Sequence, residues 1–136
     1  MKAFRSFLLA FAVIAAILLP TQAWAGSPHF VMSATSVTVS GDSVSVAFKE
    51  AGLGDEPQVH VVLSGTAQCV NPGNNHPNAG NKESFSEAGD FPVQNGQTEG
   101  NLSMTALFKP SCAPPMTVVW EDIVLTDTTS GISVNL

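Results

Sequence analysis

The sequence predicts an all-β domain, an antiparallel immunoglobulin-like β-sandwich of about seven or eight strands with one disulfide, behind a cleavable leader. Three observations predict it. Apolar residues recur at every second position in run after run, the period of a strand with one face on a core. Turn-forming residues separate the runs at short intervals, at Gly41-Asp42, 51–57, Asn95-Gly96 and 128–131. No stretch beyond the leader shows a helical period, and no internal repeat is present.

Lys2 and Arg5 precede an unbroken apolar run over 7–19, followed by Pro20 and the small-residue pattern Ala23-Trp24-Ala25. That is the pattern of a secretory signal peptide occupying 1–25, and the single domain then occupies 26–136. The thirteen-residue apolar run falls short of the ~20 residues that span a bilayer, and no second long apolar segment follows. No cysteine near the cleavage position marks a lipid anchor, so the product is expected to be secreted or periplasmic, with no membrane span after leader removal.

Without the leader, Lys49, Lys82 and Lys109 face eleven acidic residues, a formal charge of −8 with no arginine. Such an acidic surface argues against nucleic acid and anionic lipid, which require cationic groups to displace counterions. The acids lie scattered from Asp42 to Asp127 without the spacing of a calcium loop. At the new amino terminus His29 would stand fourth, and Pro28 has no amide hydrogen to lose, which argues against an amino-terminal copper site.

Along the chain, Val37 and Val39 alternate with Thr38 and Ser40, and Val44, Val46 and Phe48 alternate with Ser43, Ser45 and Ala47. The two runs predict a hairpin with one buried face. The longest alternation sets Val59, Val61, Leu63, Gly65, Ala67 and Cys69 on one face, with His60 on the polar one, and predicts a central, half-buried strand. Residues 83–89 and 91–94 read as two short edge strands, with Pro92 barring a central position. Leu102, Met104, Ala106 and Phe108 form the next set, then Met116, Val118 and Trp120. Ile123 and Leu125 resume on the opposite parity, which calls for a bulge near Glu121. Ile132, Val134 and Leu136 supply a last strand.

Two cysteines in an exported chain, Cys69 on an inward face and Cys112 just past a strand, predict one disulfide. Between Cys69 and Lys82 the chain turns polar: Asn71, Asn74, Asn75, Asn78 and Asn81, with His76, two prolines and two glycines, predict a loop. A bridge at Cys69 would root that loop in the core, and amides pair donors with acceptors suited to glycan hydroxyls or peptide backbone. The loop over 71–81 is the candidate binding segment, for an unknown glycan or protein.

No thiol nucleophile, serine elbow, paired-cysteine, zinc-protease or phosphate-loop motif is present, and the sequence calls for no cofactor, metal or catalytic residue. An enzyme would need a site assembled only in three dimensions, from His29, His60 or His76 with one of the serines. Glu121 and Asp122 are neighbours on a strand, so they cooperate as a carboxylate pair only if the bulge folds them together. The parity of Trp120 places it in the core rather than on a sugar-stacking surface. Met32, Met104 and Met116 lie too far apart in sequence to form a soft-metal cluster with the histidines. Asn101-Leu102-Ser103 matches a glycosylation sequon within an alternating strand and is assigned no role. A structural, self-associating surface protein pairing through an edge strand such as 132–136 is the other reading.

Pro28-His29-Phe30-Val31, Phe48-Lys49-Glu50-Ala51-Gly52-Leu53-Gly54, Cys69-Val70-Asn71, Asn81-Lys82 and Cys112 together resemble a group of small uncharacterised secreted proteins of bacteria and some fungi. The similarity spans most of residues 26–136. Its motifs are turn and disulfide residues, so it implies a shared fold and no particular activity.

Overall fold

A computed structural model describes residues 26–73 and 81–136. Among them the chain forms β1 (His29–Phe30), a 3-10 turn (Met32–Ala34), β2 (Ser36–Ser40), β3 (Ser43–Ala51), β4 (Gln58–Val70), β5 (Lys82–Pro92), β6 (Gln97–Thr105), β7 (Thr117–Asp127) and β8 (Ile132–Asn135). No helix among the described residues is long and apolar enough to cross a membrane.

The strands make two four-stranded antiparallel sheets, packed as an immunoglobulin-like sandwich. In the first, β6 runs along the whole length of β3, from Ser43 opposite Thr105 to Ala51 opposite Gln97. The other edge of β3 is shared by β1, opposite Glu50 and Ala51, and by β2, opposite residues 43–47. In the second sheet the order is β5-β4-β7-β8. The chain passes between sheets through 52–57, 93–96 and 106–116, and these connections mark the two poles of the sandwich.

Alternation explains the core. Val44, Val46 and Phe48 from β3 meet Val59, Val61 and Leu63 from β4, Leu102 and Met104 from β6, and Leu125 from β7. A smaller cluster of Ala67, Cys69, Ala106 and Phe108 sits at the pole where β4 ends, and Phe85 and Trp120 pack against both clusters. The inward parity of Leu102 and Met104 thus continues through Ala106 and Phe108 after β6 itself has stopped at Thr105.

The bulge required by the sequence is present. Ser64 pairs with Val124 and Thr66 with Glu121, so Asp122 and Ile123 together oppose Gly65, and Asp122 adopts a φ of 52°. A side chain on Gly65 would come within 2.8 Å of the Met104 methyl, so the glycine opposite the bulge leaves that methyl its place in the core.

Three expectations change. Residues 83–89 and 91–94 do not form two strands, because β5 runs unbroken to Pro92; as an edge strand it needs no outward donor at that proline. The β-branched and small residues from Phe30 to Val39, which read as one extended run, are interrupted by the 3-10 turn, which parts β1 from β2. The hairpin of β2 and β3 has one buried strand rather than a wholly buried face. Val37 and Val39 lie opposite Val46 and Val44 on the same side of the sheet, yet remain 36% and 53% exposed where Val44 and Val46 are fully buried. An edge strand can overhang the opposing sheet, and parity alone does not report that.

Candidate functional site

At one pole the disulfide is formed, with Cys69 and Cys112 Cα atoms 5.7 Å apart. Cys69 ends the buried face of β4, Met116 Sδ lies 3.7 Å from its sulfur, and the ring of Phe85 stands edge-on to Phe108 and Trp120. Immediately beyond, Asn71, Pro72 and Gly73 are exposed, and Asn81 is half-buried where the chain returns into β5. Asn74, Asn75, His76 and Asn78 lie outside the described residues. The 106–116 connection buries Ala106 and Phe108 but leaves Leu107 between them 73% exposed. The connection tied to this pole by Cys112 thus exposes an apolar side chain, and the described ends of the polar loop carry Asn71 and Asn81.

The histidines occupy separate places. His60, on the outer face of β4, has Nδ1 2.7 Å from Asp90 Oδ1 on β5. His29 has Nδ1 2.8 Å from the Ser27 carbonyl oxygen on the first sheet. Among the described residues neither ring is hydrogen-bonded to a serine hydroxyl. The bulge does not fold Glu121 and Asp122 together as a pair: Glu121 meets Lys82 Nζ at 3.1 Å, while Asp122 is exposed. Met104 is buried in the main core, Met116 packs at the disulfide and Met32 is exposed, so the methionines do not converge. Asn101 is exposed on the outer face of β6, opposite Ala47. No group of three or more His, Cys, Asp or Glu residues able to hold a metal occurs among the described residues.

The opposite pole holds a pair of acids that sequence reading missed. Glu50 on β3 and Asp127 at the end of β7 are both fully buried. Neither Glu50 carboxyl oxygen meets a hydroxyl, amide or cation. The group it faces is the Asp127 carboxyl, and two carboxyls can hydrogen-bond only when one keeps its proton. Burial, then the hydrogen bond to Asp127, then the Asp127 charge push Glu50 up to about 8. Burial alone would raise Asp127 as well. The Ser130 side chain, the Glu50 carboxyl and the backbone N–H groups of Thr129 and Ser130 overcome it and hold the Asp127 carboxyl below its ordinary range. The two N–H groups donate to Asp127 oxygens over 2.8 and 3.2 Å. At neutral pH the pair is thus a protonated Glu50 donating to an ionised Asp127. The signal was the alternation carried one step further: Glu50 follows Phe48 on the inward parity, and Asp127 follows Leu125.

Near this pole a polar cleft of about 600 Å³ is lined by Gly52, Gly54, Asp55, Glu56, Asn95 and Gln97, among others. The turn over 128–131 is tied to β4 by the Thr128 N–H and hydroxyl, both donating to the His60 carbonyl, and by the His60 N–H donating to Thr129 Oγ1 over 2.9 Å. No family model, curated protein or solved structure matches the chain.

Proposed function

We propose that the chain is an exported, non-catalytic recognition module that engages a glycan or protein at the pole where Cys69 and Cys112 root the loop over 71–81. The observation that supports it is the disulfide joining buried Cys69, two residues before that loop, to the connection that exposes Leu107. A rooted loop loses less entropy on binding than a free one, and an exposed apolar side chain together with amides suits a sugar face or a peptide. Export rests on the leader pattern over 1–25, and mass spectrometry of the exported form is expected to find Gly26 first.

The test replaces Asn74, Asn75 and His76 with Gly-Ser-Gly and, separately, Leu107→Ser, confirms melting temperatures within a few degrees of wild type, and compares capture of envelope glycans and exported proteins. Capture lost in both variants supports the reading. Retention of every wild-type partner by both variants overturns it. Turnover abolished by changing His60 or His76 would point to an enzyme, and concentration-dependent association lost on changing 132–136 to a self-assembling protein.

A further inference from the structure

We propose that Glu50 and Asp127 form a one-proton latch between the two sheets, closed in mildly acidic to neutral surroundings and opened by alkali, whose release frees the β7–β8 hairpin. The geometry has three parts. Glu50 projects from the first sheet into the core, fully buried, with both oxygens unmatched by any donor of its own sheet. Asp127 projects from the second sheet and is the residue that organises the hairpin: its carboxylate accepts from the Thr129 and Ser130 N–H groups, and its carbonyl accepts from Gly131 N–H at 2.9 Å. That turn is in turn bonded to β4 through His60 and the Thr128 and Thr129 hydroxyls. The shared proton therefore connects β3 to the turn that sets the position of β8.

Among the described residues no other charge compensates within this pocket. From β1 the residue opposite Glu50 is Phe30; from β6 it is Thr98, whose hydroxyl donates to the Pro92 carbonyl at 2.9 Å. Lys49 is on the outer face of β3, occupied by Glu99 at 3.0 Å. His60 and Asp90 pair on the outer face of the second sheet, and His29 is exposed on β1. Ser130 faces Asp127 and serves the carboxylate already. When the proton leaves, two anions share one dry site, and the arrangement must separate, hydrate or unfold.

The sign follows from proton binding. Glu50 is raised to about 8 in the folded chain against 4.5 unfolded, so between those values the folded state holds the extra proton and stability falls as pH rises. Asp127 is shifted the other way, so its contribution is present above 3.8 and is lost as pH falls through its lowered folded value. The two together place maximal stability in mildly acid solution.

The experiment uses residues 26–136 with the disulfide intact. Melting of the wild type is followed from pH 5 to 9, beside Glu50→Gln, whose amide reproduces the protonated acid. The wild-type melting temperature is expected to fall by on the order of 10 °C across that range, and Glu50→Gln to lose most of the slope. Amide hydrogen exchange at Thr129, Ser130 and Gly131, corrected for intrinsic rate, is expected to accelerate at least tenfold above pH 8 in the wild type and not in the variant. Should Glu50→Gln fail to fold, carbon-13 NMR of glutamate side chains in the wild type still decides: one carboxyl titrating more than two pH units above the others supports the latch. A flat wild-type melting profile, an unchanged slope in Glu50→Gln, no high-titrating glutamate, or stabilisation by added calcium or magnesium that removes the pH dependence would each overturn it.

Discussion

Gly100, Phe48 and Phe91 show how closely single side chains are matched in this core. The ring of Phe91, from the edge of the second sheet, stands edge-on to Phe48 with centroids 5.0 Å apart. It reaches that position across Gly100 on β6: a Cβ there would collide with two Phe91 ring carbons and come within 2.8 Å of Phe48 Cζ. Both neighbours are ring atoms held by packing, so neither can yield cheaply. Gly100→Ala is expected to destabilise the domain by about 1–3 kcal/mol, measured as a lower midpoint in urea with an unchanged slope. Glu50 illustrates the opposite principle at the same scale. There a carboxyl stands where parity demands an apolar residue, facing the Asp127 carboxyl, with which a proton can be shared.

At the scale of elements, β2 is the informative one. It pairs fully with β3, yet all five of its residues are exposed, and its residues Ser36, Val37, Thr38, Val39 and Ser40 carry no charge that would discourage pairing with another strand. Val39 and Val44 are directly opposite in register and differ only in what lies beyond them, solvent for one and the second sheet for the other. Val39→Ala is therefore expected to cost no more than about 0.5 kcal/mol, and Val44→Ala roughly 2 kcal/mol through lost burial and a residual cavity. Equal losses in denaturant titrations would mean that β2 is covered after all. On β7 the bulge at Asp122 and Ile123 has a similar lesson. It lets Trp120 and Leu125, which are on opposite parities in sequence, both turn to the core.

For the whole molecule, the two core clusters share Phe85 and Trp120, so the domain is expected to unfold as one unit. In a chain beginning at Gly26, Trp120 is the one tryptophan, and its fluorescence should follow the same transition as far-ultraviolet circular dichroism. Replacing both Cys69 and Cys112 by alanine removes a bridge across a sequence separation of 43. In the chain-entropy account that costs roughly 4 kcal/mol and lowers both transitions together. A fluorescence transition that moved alone would show the disulfide pole to be a separate unit.

By itself the sequence determined where most strands fall, though not that 83–92 is one strand or that the inward set of β6 outlasts it, and it determined which faces are apolar, where the bulge falls and which cysteines pair. These are local consequences of a two-residue period, turn chemistry and the presence of only two thiols. The places of Asn71 and Asn81 at the ends of the polar loop were legible in the same way, and the exposure of Leu107 was legible too but overlooked, since its parity is opposite to that of the buried Ala106 and Phe108. Only the tertiary structure decided the strand order, the uncovered valines of β2, and the meeting of Glu50 with Asp127. Parity states that each of those acids points inward, but whether it finds a cation, a hydroxyl or another acid depends on which sheet faces it. That is set by non-local pairing, which brings β3 and β7 together across the core from distant parts of the chain.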